Sequence, residues 1–260
     1  MKPTKQKQIV PTSTVLEARL RIFQPSQKPV HKEITIVTSW GTATVTGRLG
    51  QRHADVLEAI RACALDIKRS EMGVAILVDP YEVRKRIGTG YYSLEQLKNL
   101  LNELRDASVK IDTPYFSGYG GLINEYLESK KPLEKKGIGM LDGKERYLMI
   151  VQIGKIGSLL LDNDLPLFYD PTTISQLASG MSQAIARHVL THKQDPRGGW
   201  KIDTLIEAVA GTEMKPHQRR KARQSIRKDS QALEKCGIYL TTDDRVNTHL
   251  HLPDSPESVP

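Results

Sequence analysis

A strongly basic segment near the C-terminal end of this 260-residue chain carries the side chains best suited to binding a polyanion. Between Lys215 and Lys228 the chain has seven Lys or Arg residues and no Asp or Glu. Ala222, Ile226 and Leu233 recur through the segment at helical spacing. Because an α-helix turns about 100° per residue, the segment separates an apolar side from a basic side. The sequence therefore predicts a helix with one side in a core and the other available to a ligand.

The basic side of this helix has the donors that DNA recognition uses. The side chains within a sector of about 100° opposite the apolar side are Arg220, Arg223, Gln224 and Arg227. Arginine can bind guanine with two N–H groups, glutamine can bind adenine, and phosphates relieve the repulsion among neighbouring arginines. We predict DNA contact through Lys215, His217, Arg219, Arg220, Arg223, Gln224, Arg227 and Lys228. The alternative interpretation is a basic face that only water meets.

Two other segments carry further candidates for DNA contact. The stretch "RKRIGTGYY" contains Arg84, Lys85 and Arg86, whose charges suit phosphates. The outer side of a helix predicted over residues 93–107 carries Lys98, Asn99 and Asn102, and asparagine can bind adenine. The alternatives are an exposed basic helix for the first segment and a structural or dimer-forming surface for the second.

The composition favours a nucleic-acid partner over a membrane. The formal net charge is +8, and 38% of the residues are apolar, enough for folded cores. No stretch approaches the roughly 18 apolar residues of a membrane span, and the start "MKPTKQKQIVPTST" lacks the apolar region of a secretory signal. Cys63 and Cys236 are far apart and lack metal-binding spacing, so we expect buried free thiols and a cytoplasmic protein. No metal or other cofactor is expected.

The chain before residue 110 predicts alternating strands and helices. A hairpin is expected from residue 33, followed by a helix over residues 52–69 and a buried strand, "VAILV". A short helix then begins at the pair Asp79–Pro80 and ends at Gly88. The next helix begins with "SLEQ", in which the serine and glutamine can form a capping box, and runs into a strand, "VKID".

The pattern after this strand is less regular. Residues 114–145 are rich in Gly, Lys and Tyr and predict a loop insertion, helical around "LINEYLES". "RYLMIVQI" and "GSLLL" are expected as strands that complete the first half of the chain. The second half predicts a helix over residues 174–192, a short helix with a capping box of Thr204 and Glu207, and the basic helix over residues 216–236. A terminal hairpin, "GIYLTT" and "VNTHLHL", follows.

Both halves thus show one order of elements: a long helix, a short helix, a turn, a second helix and a β-hairpin. This is the order of a winged helix, whose second helix enters a DNA groove. We predict an α+β protein of two tandem winged-helix domains, each a helix-turn-helix plus a β-hairpin wing. The domains are residues 33–165, with the insertion near 114–145, and residues 166–252, the main DNA reader. Residues 1–32 are expected to be a flexible arm and residues 253–260 a disordered tail.

Four segments in this order resemble the iteron-binding plasmid replication initiators built from tandem winged-helix domains. They are "GRLGQRHADVLEAIRACA", "SLEQLKNLLNELRDASVKI", "ISQLASGMSQAIARHVLTH" before "IDTLIEAVAG", and "KPHQRRKARQSIRKDSQALEKCGIYL". The resemblance implies binding to double-stranded DNA with direct repeats at a replication origin, local melting, and recruitment of a replicative helicase or its loader. It also implies that the C-terminal domain makes the strongest base contacts. A homodimer through the first domain is a further expectation, and the insertion at 114–145 departs from the pattern.

Two other functions fit parts of the sequence. A transcriptional repressor can have the same fold. A rolling-circle nickase of the HUH type would use the two histidines of "HLH", His249 and His251, to hold a metal beside a tyrosine that attacks DNA. In that family the tyrosine follows the histidines, and here no tyrosine follows Tyr239. The chain also lacks GxxxxGK[ST], so ATP hydrolysis is not expected. We predict that the protein is not an enzyme.

Overall fold

The described part of the computed structural model comprises residues 10–70, 73–88, 90, 92–130, 140–141, 144–145 and 147–248. These residues form a mixed α/β structure whose paired strands are antiparallel. The buried apolar side chains form two clusters, one from residues 10–161 and one from residues 174–246. We call the described residues up to Leu165 the first half and those from Pro166 the second half. Within this part of the chain, every helix is too short or too polar to cross a bilayer.

The elements of the first half are, in chain order, β1 (Ser13–Thr14), α1 (Val15–Arg19), β2 (Lys32–Thr38), β3 (Gly41–Gly47), α2 (Gln51–Ala62), β4 (Asp66–Ser70), β5 (Gly73–Val78), α3 (Pro80–Lys85), α4 (Leu94–Asp106), β6 (Ser108–Asp112), β7 (Ser117–Gly120), β8 (Ile123–Glu128), β9 (Met140–Leu141), β10 (Lys144–Glu145), β11 (Met149–Ile153) and α5 (Lys155–Asn163). Two four-stranded sheets form here, with strand orders β2-β3-β6-β7 and β4-β5-β11-β8. The helices α2 and α4 pack against each other.

The elements of the second half are β12 (Pro166–Leu167), α6 (Pro171–Ser175), α7 (Gly180–Val189), β13 (Trp200–Lys201), α8 (Ile202–Ala210), α9 (Pro216–Lys228), α10 (Ser230–Glu234), β14 (Ile238–Leu240) and β15 (Arg245–Thr248). The strands β13, β15 and β14 form one sheet in that order. Helix α9 packs against α7 and α8, and the β14–β15 hairpin follows α10 directly.

The capping residues predicted in the first half are confirmed. The Asp79 carboxylate accepts a hydrogen bond from the Tyr81 amide at 2.8 Å, so it caps α3. Ser93 and Gln96 form the expected capping box of α4, with reciprocal bonds of 3.1 and 2.8 Å. Gly88 has a φ of +68°, a conformation that glycine adopts without strain. These caps depend on neighbours within four positions, which is why the local sequence shows them.

Three other predictions in the first half are wrong. In the described part of the expected loop insertion at 114–145, β7 pairs with β6 and β8 pairs with β11. "GSLLL" lies in helix α5, because a short apolar run fits a buried strand and a buried helix equally well. The helix expected over 52–69 ends at Ala62, and Asp66–Ser70 is strand β4, paired with β5.

The helices of the second half are shorter than predicted. The helix expected over 174–192 is two helices, α6 and α7, each capped by its own Asp170 or Ser179 side chain. The capping box of Thr204 and Glu207 is wrong, because α8 already begins at Ile202. The basic helix, expected to reach residue 236, ends at Lys228. The next residue, the buried Asp229, accepts a hydrogen bond from the Ser179 amide at 2.9 Å.

Residues 10–32 are not the flexible arm that the sequence suggested. Strand β1 pairs with β12 of the second half, and Leu20, Ile22 and Phe23 are buried. The Arg19 guanidinium donates to the Thr191 hydroxyl and carbonyl, both at 2.9 Å. Gly180 lies against this segment so closely that a Cβ on it would meet the Ser26 backbone at 2.6 Å. Residues 10–32 therefore pack against the rest of the first half and also contact the second half.

A buried polar network joins the two halves directly. The Arg187 guanidinium of α7 binds the Glu58 carboxylate of α2 at 2.7 and 2.8 Å, and Asp55 at 2.7 Å. Its remaining Nη1 group donates to the Gln51 amide oxygen at 2.7 Å, and the Tyr169 hydroxyl donates to Glu58 at 2.6 Å. Charges removed from water need such complete pairing to be tolerated. The network therefore fixes how α2 and α7 pack.

Candidate nucleic-acid interface

The basic helix α9 is anchored by the apolar side that the sequence predicts. Ala222 and Ile226 are buried against α7 and α8, and Leu233 of α10 joins the same cluster. Pro216 occupies the first helical position, where the missing N–H group is no loss. The Lys215 amide donates to the Gln218 side-chain oxygen at 3.1 Å and completes the start of the helix. The opposite side of α9 is thereby held towards solvent.

One stripe of arginines on α9 is paired with carboxylates of the same half. Arg219, Arg223 and Arg227 are four residues apart and lie along one flank of the helix. Their partners are Glu207 and Asp203 of α8 and Asp244 of the β14–β15 turn. The expectation that only a ligand or water can meet Arg223 and Arg227 is therefore wrong. The carboxylates come from segments that the helical pattern of α9 does not include.

The three ion pairs differ in geometry. Arg219 binds Glu207 through one Nη1 contact of 2.7 Å. Arg223 binds Asp203 through Nε at 2.6 Å and Nη2 at 2.5 Å, so both carboxylate oxygens lie along one side of the guanidinium. Arg227 holds Asp244 in the same way, through Nε at 3.0 Å and through Nη2. The hydrogen bond from Arg223 also holds the pKa of Asp203 below its ordinary value, so that carboxylate stays charged near neutral pH.

A second set of side chains on α9 is exposed and has no side-chain partner among the described residues. Its members, which we call the open sector, are His217, Arg220, Lys221, Gln224 and Lys228. They span about 100° of the helix surface beside the paired stripe. Lys215 is exposed just before the helix begins. Lys221 belongs to this set although it was not among the predicted residues. Its position on the helical wheel, close to His217 and Lys228, could have identified it.

The turn of the β14–β15 hairpin is acidic. Asp243 accepts a hydrogen bond from the Thr241 hydroxyl at 2.5 Å and forms an ion pair with Arg245 at 3.1 Å. The hydrogen bond from Thr241 holds the pKa of Asp243 below its ordinary value. Asp244 has a φ of +58° and turns towards Arg227. Two carboxylates at this turn disfavour phosphate contact there, so the open sector of α9 is the better candidate surface.

The basic candidates around α3 all have partners within the protein. The Arg84 guanidinium donates to the Pro80 and Tyr92 carbonyl oxygens, each at 3.2 Å. Lys85 lies 3.9 Å from the Glu82 carboxylate on the same helix. Arg86 approaches Asp170 of the second half at 3.5 Å. Arg84 is thus used within the protein, whereas the Lys85 side chain is 58% exposed and stays available for phosphate contact.

The outer side of α4 is partly covered by β8. The Lys98 ammonium lies 2.7 Å from the Glu128 carboxylate, and Asn102 accepts a hydrogen bond from the Tyr126 hydroxyl at 3.3 Å. Asn99 is exposed and makes no side-chain hydrogen bond within the described part of the chain. Of the three candidates on α4, only Asn99 is open to a ligand.

The histidines and cysteines of the described residues are the remaining side chains considered for chemistry. Within the described ranges, no cluster of three or more His, Cys, Asp or Glu side chains is placed to hold a metal ion. His188 and His192 approach each other at 3.4 Å between their Nε2 atoms, and burial lowers the pKa of His188 to about 4. His249 and His251, the pair considered for a nickase, lie outside the described residues. Cys63 and Cys236 are free thiols, half-buried rather than fully buried.

Comparison with known proteins shows a shared fold. No protein-family model matches the chain, and no curated protein sequence is significantly similar to it. A crystal structure of selenomethionine derivatives of domains 2 and 3 of RctB superposes with a TM-score of 0.52 at 11% sequence identity, covering 84% of each chain. A second crystal structure of RctB domains 2–3 gives a TM-score of 0.47 at 10% identity, covering 84% of this chain and 85% of that one. On the first of these comparisons, this chain is similar in overall fold to domains 2 and 3 of RctB.

Proposed function

We propose that this protein is a replication initiator that binds duplex DNA sequence-specifically through α9. The observation that carries the proposal is the open sector, five exposed basic or polar side chains on a helix whose apolar side is anchored in a core. Such a surface neutralises phosphates and offers donors to base edges. RctB is itself a replication initiator, and the shared fold supports the same role here.

The order of elements supports a winged-helix interpretation of the second half. Helix α7 is followed by β13, then by α8 and α9, and then by the β14–β15 hairpin, with β13 completing its sheet. In a helix-turn-helix the second helix, here α9, enters the major groove. The first half has a comparable order in α2, α3, α4 and the β6–β7 hairpin. Because β8 covers part of α4, we assign the first half a supporting role, with homodimer formation as its candidate function.

The initiator role has several parts, all of which belong to the proposal. The protein binds direct repeats at an origin, promotes local melting and recruits a replicative helicase or its loader in the cytoplasm. It performs no catalytic step itself and needs no cofactor. The nicking alternative is tested by mixing the full-length protein with supercoiled origin plasmid and a divalent metal. The plasmid should stay closed and no covalent tyrosyl adduct should form.

A binding titration with matched variants tests the DNA-binding surface. Changing Arg220, Lys221 and Lys228 together to alanine should weaken binding to the DNA that flanks the gene. It should also lower the salt slope of binding by about two to three, roughly one for each phosphate that the variant no longer neutralises. The control removes the same charge from exposed lysines of the first half, Lys68, Lys110 and Lys155. Equal binding by the two triple variants, both folded, would reject α9 as the binding surface.

A replication assay separates the initiator from a repressor. The DNA beside the gene, cloned on a replicon that lacks its own origin, should be maintained only when this protein is supplied. Tandem direct repeats with an AT-rich stretch in that DNA fit an initiator. A single palindrome that the protein binds, with no plasmid maintenance, would identify a repressor instead.

A further inference from the structure

Two of the paired arginines on α9 have one edge of the guanidinium occupied and the other free. A guanidinium has a side edge, formed by Nε–H and one Nη2–H, and an end edge, formed by Nη1–H and the second Nη2–H. In Arg223 and Arg227 the side edge is filled by both oxygens of Asp203 and Asp244. Neither Nη1 group makes a hydrogen bond with any described residue. The arginine side chains are 38% and 52% exposed, so the end edges are accessible.

The free end edge fits guanine. It presents two parallel N–H groups, which match the O6 and N7 acceptors of guanine in the major groove. A carboxylate along the side edge restricts the rotation of the guanidinium plane and so reduces the entropy cost of binding. The same carboxylate repels a phosphate that approaches the arginine. An arginine held in this way therefore favours a base edge over the DNA backbone.

Arg219 provides an internal contrast. Its Nη1 group, which belongs to the end edge, is already bound to Glu207 at 2.7 Å, and its side chain is only 25% exposed. Within this stripe, only Arg223 and Arg227 thus combine a free end edge with a carboxylate along the side edge. These two residues are one helical turn apart, about 6 Å along the axis, which is close to the length of two base-pair steps.

We propose that Asp203 and Asp244 are positioning residues that make Arg223 and Arg227 readers of two guanines about two base pairs apart. This inference rests on the proposed DNA-binding function and assigns its base specificity. In this division of roles, the open sector supplies phosphate contacts and the paired arginines supply sequence preference. The hairpin turn contributes through Asp244, which holds Arg227, rather than by touching DNA.

Selection from a random DNA library tests the assignment. The full-length protein is incubated with duplexes that have a randomised centre of about 20 base pairs, and the bound fraction is sequenced. Wild-type protein should enrich a motif with two guanines in one strand. Asp203→Asn should reduce the preference for one of them about tenfold, and Asp244→Asn the preference for the other. Arg223→Lys and Arg227→Lys should abolish the preference at the same positions, because lysine lacks the paired end edge.

The affinity for random DNA provides a second readout that a purely structural ion pair would not give. Both asparagine variants remove a negative charge beside the groove, so their affinity for random DNA should rise a few-fold while the guanine preference falls. The control is Glu234→Gln, the same charge change on α10 at an exposed side chain with no described arginine partner. It should leave the motif unchanged.

The outcomes separate this inference from the function on which it rests. An enriched motif that keeps both guanines in Asp203→Asn and Asp244→Asn would overturn the inference and leave DNA binding intact. A motif in which neither position is guanine would overturn it as well. Failure of the wild-type protein to bind any duplex would overturn the proposed function itself.

Discussion

The helices α4 and α9 occupy the same place in the order of their two halves, yet they present different surfaces. Both are 13 residues long and bury one apolar side. The outer side of α4 meets β8, which takes Lys98 and Asn102 into contacts with Glu128 and Tyr126. The outer side of α9 keeps the open sector, whose side chains have no side-chain partner among the described residues. Similar topology therefore does not leave similar side chains exposed, because the elements packed beside each helix decide which of its side chains stay free.

The largest expected effect tests whether the apolar side of α9 is a true anchor. Ile226→Asp places a charge at a fully buried position and should destabilise the second half by about 4 kcal/mol or more. Gln224→Asp adds the same charge two residues away on the exposed side and should leave stability nearly unchanged. Urea unfolding followed by circular dichroism measures both. Similar midpoints for the two variants would mean that α9 is not anchored as described.

The next effect tests whether the two halves unfold together. Arg187→Met leaves the buried Glu58 without a cation and the buried Asp55 with Arg52 alone, and should cost about 3 kcal/mol or more. Arg105→Met removes an exposed arginine that pairs with the neighbouring Asp106, and should cost less than about 0.5 kcal/mol. Differential scanning calorimetry should show one transition in the wild type and two in Arg187→Met. A single unshifted transition in that variant would contradict the joining role of Arg187.

The pH dependence of folding stability is the next expected effect and is of intermediate size. Burial beside His192, Arg19 and Arg21 lowers the pKa of His188 to about 4, against about 6.5 in the unfolded chain. Between these values the unfolded state binds the proton and the folded state does not. Stability is therefore lost as pH falls from about 6.5 towards 4, by up to roughly 3 kcal/mol at the low end.

A substitution isolates this contribution. His188→Phe should flatten the fall in the urea midpoint between pH 7 and pH 5, because the variant has no group to protonate at that position. His217→Phe changes an exposed histidine on α9 and should keep the wild-type slope. Parallel slopes in wild type and His188→Phe would show that burial of His188 does not govern the acid response.

The smallest expected effect compares α9 with α4 by removing one charge from each helix. Lys221→Ala removes one unpaired charge from the open sector and should lower the salt slope of DNA binding by about one. Lys98→Ala removes a charge already paired with Glu128 and should leave that slope unchanged. The measurement is fluorescence anisotropy at several salt concentrations. Equal decreases would place α4 at the DNA surface together with α9.

The sequence predicts what is decided within a few residues. The caps at Asp79 and Ser93 and the buried positions Ala222 and Ile226 follow from local spacing, and the structure agrees with them. Strand β8 could not be predicted in the same way, because it depends on β11, more than 20 residues later, for its hydrogen bonds. A one-dimensional pattern contains no information on such pairing.

The same division between local and long-range features holds for the candidate site. The helical wheel of α9 places Arg220, Gln224 and Lys228 on an open side, as the structure does. It does not show that Arg223 meets Asp203, because the aspartate lies 20 residues earlier on another helix. Charge segregation along a helix is thus a local property, whereas the pairing state of each charge depends on the tertiary fold.

The N-terminal segment has a consequence for the synthesis of the protein. Arg19 finds its hydrogen-bond partner Thr191 172 positions later, and β1 pairs with β12. At usual rates of translation, about 10 to 30 s pass between the appearance of these two parts at the ribosome. During that interval the apolar residues Leu20, Ile22 and Phe23 can pack against the first half, but the polar contacts to the second half must wait. Strand β1 and Arg19 therefore gain their last contacts only when the second half has been made, and a nascent chain halted before residue 166 should leave β1 open to protease.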